Sequence, residues 1–330
     1  MPRRARLDAP GTLHHVMGRG IEGIKIFRNK RDREDFLSRL EDLCMGQAMK
    51  IYAWALMDNH FHLFARTGKE PLSANMRRLL TGYGVNFNRR HKRYGHLFQN
   101  RYKSIVCEDD PYLLELTRYI HLNPLRACLV KSLEDLDGYR WCGHSAIMGT
   151  VKRRWQDQDT VLAYFGKRRK EAIRKYRTFV EKGVAYGRRP ELVGGGLVRS
   201  LGGWSQVLSL RRAGEKVFSD DRVLGSSGFV QDVLLEAKER VQETLRLNRK
   251  ITDLGTLAGK ICERVNMEES VLRSGSRKKP IAKARRLFAQ IAVKKMGYSG
   301  AETARFLGVT TSAVNRMADS EELDEVKSYT

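Results

Sequence analysis

Apolar and polar residues follow two different periodicities along the first part of the chain. Alternation with period two, or a short apolar run, predicts four strands, at residues 12–17, 50–57, 60–66 and 97–107. Apolar residues spaced three and four apart predict two amphipathic helices between them, at residues 30–47 and 72–93. This β-α-β-β-α-β order predicts an α+β fold in which helices back an antiparallel sheet.

Beyond residue 150 the pattern favours helices, so the C-terminal region is predicted to be all-α. Glycines at residues 194–196 and 202–203 indicate turns or a linker. We therefore expect an α+β domain at residues 1–150, a basic helical accessory region at 151–250 and a helical domain at 251–330.

The last predicted domain contains a helix-turn-helix pattern. Ser299 and Glu302 have the spacing of a capping box, and Gly308 lies in the turn after the helix that the box begins. The segment resembles a helix-turn-helix and, more loosely, the C-terminal DNA-binding domain of the bacterial replication initiator DnaA. A plain three-helix bundle is the alternative. In the first interpretation the next helix presents four side chains to DNA: Thr311, Ser312, Asn315 and Arg316.

The charge of the chain narrows the class of partner. The formal net charge is +24 and the pI is about 10.0, with +9 in residues 1–150 and +15 in the rest. A net charge this positive indicates that the binding partner is a polyanion, most simply nucleic acid. Five scattered cysteines without a CxxC pattern argue against a disulfide framework or a zinc knuckle. No apolar stretch approaches the roughly 18–20 residues of a membrane span, so we expect a cytoplasmic protein.

Two histidines in the third predicted strand are candidate metal ligands. Residues i and i+2 of a strand face the same way, so His60 and His62 lie side by side, with Phe61 in the opposite layer. Two neutral imidazoles at this spacing can hold one divalent metal, and ligand type alone suggests Zn²⁺. The alternative is a pair of histidines on a half-exposed strand.

A tyrosine and an asparagine share one face of the helix predicted after Asp110 and Pro111. Leu113, Leu116 and Ile120 make its apolar stripe. Tyr119 and Asn123 are four residues apart, so a phenol and an amide oxygen lie one turn from each other. The pair suits a nucleophile beside a metal ligand; an ordinary amphipathic helix with a tyrosine at the core edge is the alternative.

Together these segments resemble the single-tyrosine HUH transposases, in which a His-hydrophobic-His motif accompanies a tyrosine helix. The similarity is greatest to the branch of REP-associated tyrosine transposases. It covers about residues 1 to 150 and rests on four segments: Leu13–Gly20, His60–His62, Tyr119–Ala127 and Tyr139–Ser145. The resemblance implies a ferredoxin-like or RRM-like sheet with the histidine pair on a central strand.

The resemblance also implies a mechanism. His60, His62 and the side-chain oxygen of Asn123 would hold Mg²⁺ or Mn²⁺, and Tyr119 would attack the scissile phosphate to give a 5′-phosphotyrosine and a free 3′-hydroxyl. The enzyme would cleave and rejoin single-stranded, hairpin-flanked DNA. His121 lies two residues, or about 200°, round the helix from Tyr119 and is interpreted as a surface or DNA-contact residue.

Basic residues in the first domain are the candidate DNA contacts. In the second helix they are interleaved with Tyr83, Phe87 and Tyr94, a mixture that suits phosphate contacts and base stacking. The DNA contacts predicted in this domain are Arg19, Arg77, Arg78, Arg89, Arg90, Arg101 and Lys103.

Two other functions fit the same residues. One is a DNA-binding regulator that keeps the fold without cleaving. The other is a metal-dependent nuclease that activates water, with Tyr119 structural. The expected partner in each case is DNA: single-stranded, hairpin or repeat ends, and duplex through the C-terminal domain. The protein is expected to be a monomer or a homodimer.

Overall fold

A computed structural model describes two compact units, residues 1–233 and 234–330, which are treated separately below. The described residues are 7–187, 192, 220, 222–226, 228–238, 253–274, 276, 278–296 and 298–329. The boundary predicted at residue 150 does not divide the first unit into two cores. The helices that follow residue 150 pack on the sheet and share its core.

The described residues of the first unit include five strands and eight α-helices, besides the 3-10 helices Ile21–Gly23 and Val184–Tyr186 and the start of the helical residues 228–238. The strands are β1 Leu13–Arg19, β2 Met49–Leu56, β3 His60–Thr67, β4 Lys103–Cys107 and β5 Val223–Leu224. The helices are α1 Lys30–Met45, α2 Leu72–Arg90, α3 Asp109–His121, α4 Asn123–Arg126, α5 Leu133–Gly138, α6 Gly143–Met148, α7 Gln158–Ala163 and α8 Arg169–Lys182.

The sheet has the order β2-β3-β1-β4-β5, and its first four strands pair antiparallel. This is the split β-α-β arrangement of a ferredoxin-like fold, as predicted, with the histidine strand β3 in the interior of the sheet. The predicted fully antiparallel sheet needs one correction, because β5 joins β4 in parallel. Strand β4 is also shorter than predicted, because among residues 97–102 only Phe98 forms an isolated bridge, to Gly20.

Alternation along the strands divides the apolar side chains of the first unit between two cores. Phe61 and Leu63 face the layer of α1 and α2, as the period-two pattern predicts. Phe64 faces the opposite layer. There the predicted stripe of α3 is buried, since Leu113 and Leu116 belong to the same core. The sheet is thus covered on both faces, and the predicted histidine pair lies on the α3 side.

Helices α7 and α8 complete the core on the α3 side of the sheet. Tyr176 and Val180 of α8 are fully buried there. Gln156, two residues before α7, is bound to β2: its Oε1 accepts a hydrogen bond of 2.9 Å from Trp54 Nε1, and its Nε2 donates to Tyr52 O at 3.1 Å. The basic residues of α8 lie on its outer face, away from this core. The sequence showed their charge but not the buried face, and so it predicted a separate accessory region.

The second unit is helical around its own apolar core. Its helices are α9 Leu254–Arg264, α10 Glu269–Leu272, α11 Lys279–Ala289, α12 Gly300–Leu307 and α13 Thr311–Asp319, with a π-helical turn Gln290–Lys295 after α11. The predicted capping box is present. Glu302 N donates a hydrogen bond to Ser299 Oγ, and Ser299 N donates one to the Glu302 carboxylate. Gly308 ends α12 in a left-handed conformation, φ 67°. Residues 228–238, which span the boundary of the two units, are also helical, within the predicted helical accessory region.

Candidate functional site

His60 and His62 lie at the start of β3, on the same face of the sheet. The hairpin before them is closed by a hydrogen bond of 2.9 Å from Met57 N to His60 O. The two imidazole centroids are 5.2 Å apart. His62 is buried with 7% of its surface exposed, and His60 is half-buried. The strand therefore brings the predicted pair together at the edge of a cavity.

Hydrogen bonds fix the tautomer of His60. Its Nδ1 lies 2.7 Å from Asn59 Oδ1, and Asn59 Nδ2 donates to Gly23 O at 3.3 Å. Because the amide nitrogen is directed to a carbonyl, the amide oxygen faces the imidazole and can only accept. His60 therefore carries its proton on Nδ1, and its Nε2 presents a lone pair.

A second relay fixes the tautomer of His62 through His15 of β1. His15 Nδ1 lies 3.3 Å from Leu192 O, and His15 Nε2 lies 3.0 Å from His62 Nδ1. A carbonyl only accepts, so neutral His15 carries its proton on Nδ1 and accepts at Nε2. His62 must then donate from Nδ1, which leaves its Nε2 lone pair available as well.

Burial keeps these imidazoles neutral. It lowers the pKa of His15 to about 4. Burial, reinforced by the neighbouring His15 and His60, lowers the pKa of His62 well below 6.5. Burial and the charge of Arg19 also lower the pKa of His60. At neutral pH the site therefore holds two uncharged nitrogen donors, the form that binds metals.

Tyr119 on α3 lies beside this relay. Its ring centroid is 6.1 Å from that of His62 and 6.1 Å from that of His15. Arg126 holds the end of the tyrosine helix: its guanidinium carbon lies 5.2 Å from the Tyr119 ring centroid, and Nη1 donates to Tyr119 O at 3.2 Å. The chain thus brings the predicted nucleophile to the predicted metal-binding histidines.

Asn123 begins α4, one turn beyond Tyr119. It is 8% exposed, and its Nδ2 is buried with no hydrogen-bond partner in the described chain. A buried N–H donor left unsatisfied costs about 1–3 kcal/mol, which a bound acceptor such as a phosphate oxygen would offset, whereas a metal ion would take the side-chain oxygen of Asn123. Among the described residues no three His, Cys, Asp or Glu side chains form a metal-binding group. A divalent ion here would take imidazole nitrogens from the histidine pair, and Asn123 has the donor type for a third ligand.

The cavity in front of the histidine pair is cationic. It has a volume of about 460 Å³, and its charged lining residues are Arg19, Arg101 and Lys103. None of its lining residues is acidic. A cavity of this kind attracts a phosphate and offers a divalent ion no carboxylate. A phosphate in the cavity would supply the oxygen ligands that such an ion prefers.

Ion pairs divide the predicted DNA-binding arginines into two groups. Arg90 contacts Asp32 and Asp35, and Arg78 contacts Glu70. Arg19, Arg77, Arg89 and Arg101 have no ion pair with any described residue. The second group retains its full charge for an external polyanion, whereas Arg90 helps to join α1 to α2.

The structure changes the interpretation of the aromatic residues interleaved with the basic ones, and it explains two glycines at the end of the first strand. Tyr83 and Phe87 are fully buried in the core, so of the three interleaved aromatic residues only Tyr94 is exposed, at 94%. Gly18 is explained by packing, because a Cβ there would lie 2.5 Å from the Phe61 ring. A Cβ on Gly20 would lie 2.2 Å from Ile24 O. The two glycines thus accommodate the protein's own atoms.

The interpretation of His121 as a surface or DNA-contact residue is wrong, because the side chain is fully buried. Its Nδ1 lies 2.6 Å from Tyr176 Oη, which also lies 2.9 Å from His144 Nδ1. His144 Nε2 in turn lies 2.8 Å from Asp137 Oδ1. This network connects the tyrosine helix to α5, α6 and α8, and it sets the position of α3 beneath the sheet.

The sequence did not single out His15 for a role at the site. It was part of the first strand and of the Leu13–Gly20 resemblance, and its neighbour His14 faces the other way. The contact with His62 joins two adjacent strands that are 47 residues apart in sequence, and the contact with Leu192 spans 177 residues, so no local spacing encodes either.

In the second unit, the four predicted DNA contacts lie on one exposed surface. Thr311, Ser312, Asn315 and Arg316 are all exposed on α13, whereas Val314 and Ala318 of the same helix are buried. Helix α13 thus presents the polar face that the pattern predicted, and DNA binding by it stays a prediction.

Residues 12–123 match the family model described as IS200-like transposase. The resemblance to transposases is therefore confirmed for this segment, about a third of the chain, which contains all four predicted catalytic and metal-binding residues. No curated protein matches the chain. A solved structure of a REP-associated tyrosine transposase bound to a REP hairpin is similar, with 13% identity and a TM-score of 0.35, covering 48% of this chain and 98% of that chain. Among the described residues, no helix is both long and apolar enough to cross a membrane.

Proposed function

We propose that this chain is a transposase that cleaves and rejoins single-stranded DNA through a covalent phosphotyrosine at Tyr119. The observation that carries the proposal is the position of Tyr119, whose ring lies beside His62 and His15. The match of residues 12–123 to IS200-like transposases supports the class of reaction. The cationic cavity next to the histidine pair supports a phosphate substrate.

The chemistry is a transfer of one phosphodiester between two oxygens. The Tyr119 oxygen forms a bond to phosphorus and loses its proton, while the bond from phosphorus to the 3′-oxygen breaks and that oxygen gains a proton. The products are a 5′-phosphotyrosine and a 3′-hydroxyl. Rejoining is the reverse transfer onto a 3′-hydroxyl, so the number of phosphodiester bonds is conserved and no external energy source is needed.

A phenol has a pKa near 10, so attack on a phosphate needs charge neutralisation. His60 and His62 would hold Mg²⁺ or Mn²⁺ through their Nε2 atoms, with Asn123 as a further ligand. A bound divalent ion would neutralise the phosphate and orient it for in-line attack. Arg19, Arg101 and Lys103 add positive charge around the same phosphate.

The proposed DNA substrate is a single strand that flanks a hairpin. A strand can place an isolated phosphate in the cavity, and the cations without ion pairs supply affinity for its backbone. The second unit is proposed to bind duplex DNA through α13, with Thr311, Ser312, Asn315 and Arg316 toward the groove.

The deciding experiment is incubation of the protein with 5′- and 3′-labelled single-stranded hairpins from its own genomic flanks, with Mg²⁺ or Mn²⁺, followed by denaturing gels. We expect a strand break and a protein–DNA adduct that survives denaturation. A break without an adduct would indicate a nuclease that uses water. Binding with neither product, across all flanking hairpins and both metals, would favour a non-cleaving regulator.

A further inference from the structure

A second cavity lies on the first unit, between α2 and residues 95–102. Its volume is about 890 Å³, within the range of about 300–1,000 Å³ that is common for ligand sites. Met76 and Leu97 are buried at its floor, Leu80 and Phe98 are half-buried, and Arg77 and Arg101 lie among its polar lining residues. We propose that this groove binds a nucleotide of the single strand outside the cleavage site, with the base against the apolar floor and the phosphate on the arginines.

Gly84 is the first argument that the groove takes a ligand. It lies inside α2, where glycine destabilises a helix relative to alanine. A Cβ on Gly84 would meet no atom within 4 Å, so packing does not require the glycine. Gly82 differs, because a Cβ there would lie 2.2 Å from Arg39 Nη1. Gly84 lines the groove, and the missing side chain keeps the groove open.

Continuity with the catalytic cavity is the second argument. Gln99, Asn100 and Arg101 line both cavities. They follow Phe98, which bridges to Gly20 at the end of β1. A single strand of DNA with one phosphate beside His60 therefore needs to pass only residues 99–101 to reach the groove.

The charge of the lining selects a nucleic acid over an apolar ligand or a peptide of mixed charge. No acidic residue lines the groove. Arg77 and Arg101 have no ion pair with any described residue, so both can bind phosphate. An apolar floor that includes the half-buried ring of Phe98, with a cationic rim, fits non-specific single-strand binding, in which bases stack on aromatic side chains and cations hold the phosphates.

The inference rests on the proposed DNA substrate, so its test is a binding measurement that does not need cleavage. All proteins carry Tyr119→Phe, and the probe is a fluorescein-labelled single strand of 24 thymidines. Gly84→Leu fills the groove, and Gly259→Leu is the matched control: Gly259 also lies inside a helix, α9, with no atom within 4 Å of a Cβ. We expect Gly84→Leu to raise the Kd about tenfold, as loss of one stacked base does, and Gly259→Leu to leave it unchanged.

A second measurement uses the full chain without a groove mutation. The same strand with 4-thiothymidine at every third position is irradiated, and the crosslinked peptides are mapped by mass spectrometry. We expect crosslinks within residues 73–88 and 95–102. Crosslinks confined to other peptides would overturn the proposal, even if Gly84→Leu were to fold poorly.

The remaining outcomes separate this inference from the proposed function. Equal affinity of the Gly84→Leu and Gly259→Leu proteins overturns the groove and leaves cleavage at Tyr119 intact. Loss of an oligomer in Gly84→Leu, seen by light scattering without DNA, would assign the groove to a second copy of the chain and overturn the proposal. A tenfold loss of binding, in a protein whose wild-type form gives no adduct, supports the groove and contradicts the transposase chemistry.

Discussion

The Nε2 atom of His15 lies 3.0 Å from the Nδ1 atom of His62, on the neighbouring strand. That contact decides which nitrogen His62 presents to the cavity, because His15 is itself bound to the Leu192 carbonyl. Residues that orient a metal-binding histidine commonly change metal affinity about 10–100-fold when they are removed. The histidine pair, the His15 relay and Tyr119 therefore give separable predictions.

Replacing His15 should weaken metal binding. In a Tyr119→Phe background with single-stranded DNA present, we expect His15→Ala to reduce Mn²⁺ affinity by about tenfold or more, measured by electron paramagnetic resonance. His15→Gln keeps an oxygen that can accept the His62 Nδ1 proton, so it should recover most of the affinity. Equal affinities of the wild-type and His15→Ala proteins would contradict the relay.

Removing both histidines of the pair should abolish cleavage while DNA binding remains. His60→Ala with His62→Ala removes both nitrogen donors, whereas most of the affinity for DNA comes from cationic side chains. We expect no strand break on denaturing gels and a hairpin Kd within about threefold of wild type. Undiminished cleavage by the double variant would remove the metal role from these residues.

Tyr119→Phe should eliminate both the strand break and the covalent adduct. The change deletes one oxygen and keeps the ring, so folding and hairpin binding should persist. Tyr112→Phe is the matched control, because Tyr112 is a half-buried tyrosine of the same helix. Mass spectrometry of the adducted peptide identifies the nucleophile, and an adduct on any other tyrosine would show that the assignment is wrong.

The stability of the protein should fall in acid, partly because of His14. Burial lowers the pKa of His14 from 6.5 to about 4, so the unfolded chain binds its proton first as the pH falls. This loss begins near pH 6.5 and is complete near pH 4, and it amounts to about 3 kcal/mol by linkage. In guanidinium unfolding between pH 7.5 and 4, His14→Leu should lose correspondingly less stability than wild type. Parallel pH profiles for the two proteins would contradict a depressed pKa.

Deleting the chain from residue 251 should weaken duplex binding more than single-strand cleavage. The second unit has its own apolar core, which includes Leu257 and Phe288, and the predicted duplex contacts lie on α13. Gel shifts with a hairpin whose stem is duplex, set beside cleavage of a strand that lacks the stem, measure both effects. If the truncated protein binds the duplex as tightly as the full chain does, the second unit has another use.

Most of the sheet was predictable because its signals are local. The alternation around His60–His62, the hairpin at Asp58 and the stripe of α3 are all encoded within a few residues, and the structure agrees with them. The capping box at Ser299 is likewise a four-residue pattern. Such features depend on side-chain direction and backbone satisfaction within one element, so a single sequence is enough to find them.

The predictions that changed depend on contacts between distant segments. Tyr83 and Phe87 have the same types and spacing whether they stack on DNA or pack in a core. His121 shows no local sign of its bond to Tyr176, 55 residues away. The role of His15 requires Leu192, and the domain boundary depends on which residues of α8 meet the sheet. Tertiary packing decides each of these.

The return of the chain to β4 affects how the protein is synthesised. Val223 and Leu224 cover the edge of β4, and Glu108 accepts hydrogen bonds from Ser226 on both carboxylate oxygens. The chain must therefore extend 73 residues beyond Tyr119 before the Leu192 carbonyl can reach His15, and 105 residues beyond it before Leu224 covers that edge. Until then the edge of β4 is open and can pair with other chains. His15 also lacks the Leu192 carbonyl that fixes its tautomer. A nascent enzyme of this design acquires its oriented histidines only late in translation, when most of the chain has left the ribosome.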